Sequence, residues 1–391
     1  MLNLPLSASV FLAAGATDMR KSFDGLSALA RDVLEQDPLS GHLFVFCNRR
    51  RDRLKVLAFD GNGLWVLAKL PELGTFAWPE ECGAGRVELK TSELARSTLC
   101  DWVAACVEEL GPIVQEVKRA VLASKVVQAD ETPIVTLEEH DERRRRQCGL
   151  WAYRGTGGET AFVFRETRAR DGPRAFLEGF EGYLLHDRYT GYAGLGDGIV
   201  HVGCWAHARR HFFDARPSAE KEAAEALRLI GQLDAVERDA TDLAPAERAA
   251  LRRERAVPVL DAIRARLDAW QEDALPKSEF GKAVAYARGQ WGNLVRYVED
   301  GDLRIDNNAL EREIRPVALG RRNWLFAGSY EGGHRAAALY TLVASCKAVG
   351  VEPFEYFRDV LTRTTTATAR ELTPRAWKGA RDAAPAATPK A

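Results

Sequence analysis

No stretch of the 391 residues approaches the ~20 consecutive apolar positions of a membrane-spanning helix. The opening MLNLPLSASVFLAAGA is mildly apolar but has no basic segment ahead of it, so a secretory signal is not expected. Cysteine is sparse: seven residues at 47, 82, 100, 106, 148, 204 and 346, with no CxxC pair. That pattern argues against a four-cysteine zinc module and a disulfide framework, and for reduced thiols in the cytoplasm. No charge sign dominates either, with 55 Lys plus Arg against 56 Asp plus Glu and a net charge of −1. A DNA partner would therefore have to meet local basic surface, since the field of the whole chain does not draw it in. What is present is ordinary for a globular protein, 46% hydrophobic and 28% charged residues, at a length that suits two or three domains.

Residues 1–80 read as a small α+β domain. Asp18 to Asp37 places Phe23, Leu26, Leu29, Ala30, Val33 and Leu34 on one helical face. Three strand-like runs follow, HLFVF, LKVLAFD and LWVLAKL, the last two joined at Gly61-Asn62-Gly63, which suits a tight hairpin. The first two are joined by a turn with four arginines in five residues, Arg49, Arg50, Arg51 and Arg53. Such a tip can contact phosphates or stand as a solvated hairpin, and the two readings are evenly matched. A Gly- and Glu-rich break at Pro79 to Gly85 opens a junction over 81–123, helical from Thr91 and interrupted at Gly111-Pro112.

From 124 the pattern changes. SKVVQAD is a buried-type strand ending in Asp130; GLWAYRG and TAFVFRE form a hairpin; GPRAFLEGF is a short helix. GYLLHD is a strand ending in Asp187, and GIVHVGC a strand leading into a helix from Trp205 to Asp214. Residues 217–300 are helical in composition, with breaks at Ala244-Pro245 and Pro258. Asp306-Asn307-Asn308 caps a short helix that Pro316 is expected to end, with Asp306 as its N-cap. Helix resumes from Gly333 to Leu361. Residues 362–391, with six basic and two acidic side chains, read as a basic flexible tail.

Carboxylates at the ends of neighbouring strands point into one cleft, where divalent cation relieves their repulsion. Asp130 and Asp187, with Glu311 on a later helix, form such a set. By pattern alone the signal is weak, because acidic residues often end strands. Glu131 points to the other face of its strand. Glu313 lies about 200° round the helix from Glu311, whereas Arg315 is placed to pair with Glu311.

The wording around these residues is specific. ADETP at Asp130, HDRYTGY at Asp187, GCWAHARR at 203–210 and DNNALEREIRPVALGRRNW at 306–324 closely resemble the transposase of the insertion-sequence-sixty-six family. The resemblance covers about residues 90 to 380. It implies an α/β, RNase H-like catalytic domain with a mixed five-stranded sheet, in two parts (124–216 and 301–361) around the all-helical insert 217–300. It also implies a catalytic, metal-binding triad of Asp130, Asp187 and Glu311 that uses Mg²⁺, with Mn²⁺ as substitute, to cut and join DNA. The implied partners are transposon ends and target DNA, a homo-oligomer in the active complex, and separately encoded transposase proteins, with no membrane. The implied place is the cytoplasm, at the nucleoid.

Residues 1–80 resemble instead the small accessory protein encoded beside that transposase, through TDMRKSFDGL, DPLSGHLFVFCNRRRDRLKVLAFDGNGLWVLAKL and GTFAWP. In the family, a zipper-like region and a cysteine-rich zinc segment precede the catalytic domain; here accessory-like sequence stands there. The join near VELKTSELARSTLCDW reads as an in-frame fusion of two adjacent genes. Two alternatives stay open: a silent relic that keeps the fold and binds DNA or a partner transposase, and a general RNase H-like nuclease.

Cys204, His207 and His211 form a CxxHxxxH cluster without a fourth ligand, so no zinc is expected. His207, Arg209 and Arg210 are read as facing phosphates. Arg143 to Arg146 are assigned to a turn that either touches DNA or is solvated. Arg315, Arg321, Arg322 and Trp324 complete the candidate DNA contacts, two cations and an aromatic suiting a backbone and a stacked base.

Overall fold

The computed structural model describes residues 9–13, 15–59, 61, 63–69, 86–138 and 141–383, with the backbone alone at 86–99, 138, 141–144 and 324. The elements run β1 (Ser9–Ala13), α1 (Phe23–Asp32), β2 (Leu43–Cys47), β3 (Leu54–Phe59), β4 (Leu64–Lys69), β5 (Arg86–Lys90) and α2 (Thr91–Leu122). Then come β6 (Val126–Glu138), β7 (Asp141–Gly155), β8 (Thr160–Arg165), α3 (Asp171–Phe176), β9 (Gly182–His186), β10 (Ile199–Gly203) and α4 (Trp205–Asp214). The chain closes with α5 (Glu220–Asp239), α6 (Pro245–Asp273), α7 (Glu279–Gly289), α8 (Trp291–Val295), α9 (Asn308–Trp324), α10 (Tyr330–Ala348), α11 (Pro353–Val360) and α12 (Pro374–Ala383). It divides into two units, Met1–Ala105 and Cys106–Ala391, the division falling inside α2.

In the first unit the sheet order is β4-β3-β2-β1-β5. The three expected strands are its β2, β3 and β4, antiparallel in sequence. β1 lies parallel to β2, and β5 antiparallel to β1. The sheet thus extends past residue 80, where the accessory-like domain was expected to stop, because β1 needs a partner on its outer edge. α1 is shorter than the expected Asp18–Asp37. Asp18 instead takes the Arg20 backbone N–H at 2.9 Å and its guanidinium, which holds a turn ahead of the helix. Leu26, Ala30 and Leu34 pack on Phe11, Phe44, Phe46 and Leu57. The break at Pro79–Gly85, Asn62 and residues 384–391 lie outside the described residues.

The second unit holds a sheet of order β10-β9-β6-β7-β8. β6, β7 and β8 form an antiparallel meander, while β9 runs parallel to β6 and β10 parallel to β9. This is the RNase H-like sheet the sequence implied. Alternation along the strands sorts the side chains. Val127, Ala129, Trp151, Tyr153 and Leu184 pack with Phe176 and Phe180 on one face. Ile134, Leu150, Ala152, Phe162 and Phe164 meet Leu310, Ile314 and Val317 of α9 on the other. Helices α5 to α8, between β10 and α9, bury Leu229, Leu233, Leu260, Ile263, Leu267, Trp270 and Phe280 among themselves and against Trp205 and Phe212.

Several expected breaks are absent. Pro112, Pro258 and Pro316 all lie inside continuous helices. Each proline removes one N–H but leaves the rest of the ladder, and the apolar face on both sides stays packed. Val117 and Leu110 flank Pro112, and Leu310, Ile314 and Val317 bracket Pro316. Arg321, Arg322 and Trp324 therefore ride on α9 instead of following it. The expected helix 333–361 is two, α10 and α11, parted at Gly350, whose φ is +70°. Arg143 to Arg146 lie within β7, not in a turn; Arg145 pairs with Leu137 and Arg146 with Thr136. The tail is not flexible as far as it is described. Trp377 of α12 is buried, its indole N–H donates to Asp359 Oδ2 at 2.7 Å, and Tyr356 OH donates to Leu372 O at 2.7 Å. Two apolar anchors in a Thr- and Ala-rich stretch suffice to dock it. Among the described residues no helix is long and apolar enough to cross a membrane.

Candidate active site

Asp130 does not end its strand; it is the fifth residue of the thirteen in β6. What ends beside it is the pairing with β9, whose last register partner is Gln128 with Leu185. Beyond Gln128 the β9 side of β6 has no ladder partner, which also accommodates Pro133. Asp187 follows the last residue of β9. Both carboxylates fall on the face covered by α9, since they continue the alternation of Gln128 and Leu185.

Glu311 is in the first turn of α9, and that turn is pinned to its surroundings from three sides. Asn307, fully buried, donates its side-chain N–H to Ala129 O at 3.0 Å, next to Asp130. Gln128 Nε2 donates to Asp306 O at 3.3 Å, and Trp205 N donates to Ile305 O at 3.0 Å. Asn307, not Asp306 as expected, is the N-cap; Asp306 stands one residue ahead and accepts the Asn308 backbone N–H at 3.1 Å and the Asn308 side-chain amide at 2.7 Å. On the far side of α9, Glu313 accepts from Arg154 Nε at 2.9 Å and from the Thr160 hydroxyl. These contacts set the rotation of the helix, and with it the direction of Glu311.

Asp130 senses both other carboxylates. Asp130 is pushed up to about 7, first by burial and then by the charges of Asp187, Glu311 and Glu131, against the Glu131 backbone N–H that it accepts at 2.8 Å. Asp187 accepts the Tyr189 N–H at 3.0 Å, which orients it. Glu131, as expected, is engaged elsewhere, paired with Arg168 through a 2.9 Å bond to Arg168 Nε. The carboxyl of Asp130 is thus held toward neutral pH chiefly by burial, with the charges of Asp187 and Glu311 adding to it.

The partner of Glu311 is not Arg315. Its Oε1 lies 3.8 Å from His207 Nδ1 on α4, and Arg315 is exposed with no ion pair among the described residues. His207 is thus brought to the carboxylates. Arg209 and Arg210 point instead into a cavity of about 810 Å³ between α4, α5 and the start of α9, shared with Trp205, Asp234 and Asp306. Arg321 donates to Pro133 O, beside the unpaired part of β6. Arg322 is exposed, and the side chain of Trp324 lies outside the described residues. Arg49, Arg50 and Arg51 belong to the first unit, where Asn48 and Asp52 organise their turn and Arg50 pairs with Asp52 at 2.8 Å.

Sequence reasoning passed over Asn307, Arg154 and Glu313 as site-building residues. A polar side chain flanked by the buried Ile305 and Leu310 was the available signal for Asn307; the Arg154–Glu313 pair, far apart in sequence, carried none. His186, next to Asp187, is buried and pushed down to about 4 by that burial and by His201, whose Nδ1 it meets at 2.9 Å.

Compared with known proteins, residues 85–335 match the family described as Transposase IS66 family, residues 8–101 the IS66 Orf2 like protein, and residues 341–373 the IS66 C-terminal element. The uncharacterized protein y4qI of Sinorhizobium fredii is 32% identical over 292 residues, 69% of this chain and 53% of its own length. The uncharacterized protein y4jD of the same organism is 30% identical over 310 residues, 73% of this chain and 60% of its own. A third, y4hO, is 38% identical over 86 residues, 22% of this chain and 74% of its own. The chain spans between half and two thirds of the length of the two longer relatives.

Proposed function

Since this chain belongs to the IS66 transposase family, we propose that it is a DDE transposase that cuts DNA at transposon ends and joins the freed 3′ hydroxyl to target DNA. The observation that supports this reading is that Asp130 on β6, Asp187 after β9 and Glu311 on α9 lie near enough for the charges of Asp187 and Glu311 to add to the burial that raises Asp130. Asp130, Asp187 and Glu311 would hold Mg²⁺, or Mn²⁺ in its place. Bound there, the cations would activate a water or a 3′ hydroxyl and stabilise the leaving oxygen of the phosphodiester.

The chain's own residues prepare this site. Asp187 is aimed by the Tyr189 N–H, Glu311 by the clamp on the far side of α9, and Asp130 by the Glu131 N–H. With a cation held there, Asp130 would be ionised, since the positive charge would outweigh the burial and the neighbouring carboxylates that raise it. Water and the 3′ hydroxyl are the successive nucleophiles, so no side chain need form a bond to DNA. The active complex is read as a homo-oligomer, since two ends are cut together, and separately encoded transposase proteins join it where the assay below requires them.

The test is a nicking and strand-transfer assay with Mg²⁺ or Mn²⁺ on DNA carrying the host element's ends, wild type beside Glu311→Ala. End-specific nicking that disappears in the variant is the expected result. Cutting that ignores the end sequence would mark a general nuclease. A folded, cation-binding chain that cuts nothing, alone or with its family partners, would overturn the reading in favour of a silent relic.

A further inference from the structure

Cys204 stands immediately ahead of α4, fully buried where β10, α4 and the start of α9 meet. Its Sγ accepts the Asn307 backbone N–H at 3.3 Å. One turn along α4, His207 Nδ1 is buried without a hydrogen-bond partner among the described residues, 3.8 Å from Glu311 Oε1. The sulfur, an imidazole nitrogen and a Glu311 oxygen all lie within 4.8 Å of one another. His211, which the sequence grouped with Cys204 and His207, is turned to the Tyr286 ring, 4.4 Å between centroids. The third donor comes instead from α9.

We propose that Cys204, His207 and Glu311 form a binding site for a thiophilic divalent cation of the zinc class. Magnesium takes oxygen ligands and has little use for a thiolate, whereas one sulfur, one imidazole and one carboxylate together favour zinc. Bonds of about 2.0 to 2.3 Å in a tetrahedron set ligands roughly 3.3 to 3.8 Å apart. For a nitrogen and an oxygen, with the shorter of these bonds, the spacing is roughly 3.3 to 3.6 Å, so the His207–Glu311 separation of 3.8 Å is slightly too long as it stands. Rotation of these two side chains, 31% and 35% exposed, closes the remainder. Coordination displaces the thiol proton to solvent, and the Asn307 N–H then faces a thiolate. Three protein ligands leave the fourth position to water.

Glu311 belongs to both clusters. A zinc-class ion on Cys204 and His207 holds the carboxylate toward α4, so occupancy there competes with any cation held with Asp130 and Asp187. The site itself rests on side-chain geometry and needs no DNA, which keeps its test separate from that of the transposase reading.

Cobalt(II), added to the metal-free full-length chain, gives a near-ultraviolet thiolate-to-metal charge-transfer band when sulfur is a ligand. The expected result is one equivalent of Co²⁺ with that band, absent in Cys204→Ala. Affinity should fall about tenfold or more in His207→Ala and Glu311→Gln, and the band should persist in Asp130→Asn. No band in folded wild type, or a band that survives Cys204→Ala, overturns the proposal. Should Cys204→Ala fail to fold by circular dichroism, Glu311→Gln and Asp130→Asn decide: weakening in the first alone supports the site, any other result overturns it.

Discussion

Asp130 carries most of the electrostatic strain of the site. Its carboxyl is held up to about 7, against an ordinary 3.8, by burial first and by Asp187 and Glu311 next. Between these two values the native carboxyl keeps a proton that the unfolded chain has released. The unfolded state then binds fewer protons, so stability falls as pH rises. The contribution is complete below about pH 4 and lost above about pH 7, on the order of 4 kcal/mol if it acts alone. Denaturant melts of the metal-free protein should show this decline, and Mn²⁺ should flatten it by favouring the ionised form. Asp130→Asn should flatten it without cation and raise stability at pH 8. A variant as pH-sensitive as wild type would place the charge elsewhere. Asp130 itself was legible in the ADETP motif. Its surroundings were less so: the strand was expected to end there, when what ends is the ladder to β9, and no local pattern distinguishes the two.

At the scale of elements, the direction of Glu311, the proposed third carboxylate, depends on how α9 is seated. Leu310, Ile314 and Val317 fix which side of the helix meets the sheet. Apolar contacts tolerate small rotations, and the polar clamp of Glu313 on Arg154 and Thr160 does not. Glu313 and Arg154 are 18% and 17% exposed. Removing the carboxylate leaves a nearly buried guanidinium and the Thr160 hydroxyl without their partner. Glu313→Ala should therefore cost about 2 to 3 kcal/mol in urea unfolding, with Glu313→Gln recovering part of it. Nicking should fall about tenfold in Glu313→Ala under conditions where the variant stays folded, because Glu311 loses its fixed direction. Unchanged nicking beside lowered stability would make the clamp structural alone. The prolines teach the same lesson about legibility. Pro112, Pro258 and Pro316 were read as stops because the local rule is sound, yet each helix continues, since packing on both sides outweighs one missing hydrogen bond.

Across the whole molecule, the two-part organisation could be read from the chain because two unlike patterns abut, and the matched segments 8–101 and 85–335 overlap at that join. The join near VELKTSELARSTLCDW coincides with that overlap, whereas the edge at residue 80 stops short of the first sheet, since β5 completes it only after residue 85, and a strand that pairs with the first one leaves no local trace. Charge was more informative. A net of −1 leaves DNA binding to local arginines, and the structure separates the candidates. On the hairpin of the first unit, Arg50 is already paired with Asp52 and Arg51 is half-buried. On α4 of the second unit, Arg209 and Arg210 are exposed, form no ion pair among the described residues and line a cavity. Each phosphate contact contributes about 0.9 to the slope of log affinity against log salt. Replacing Arg209 and Arg210 together by alanine should lower that slope by about 1.8 while leaving the melting curve in place, as the side chains are exposed. The combined Arg49→Ala, Arg50→Ala and Arg51→Ala variant should lower it by less than 1, because part of that charge is spent within the turn. Fluorescence anisotropy on end-containing DNA between about 50 and 200 mM salt resolves the two. A larger change from the hairpin than from α4 would move the principal DNA-binding surface to the first unit, and with it the reason the two parts share one chain.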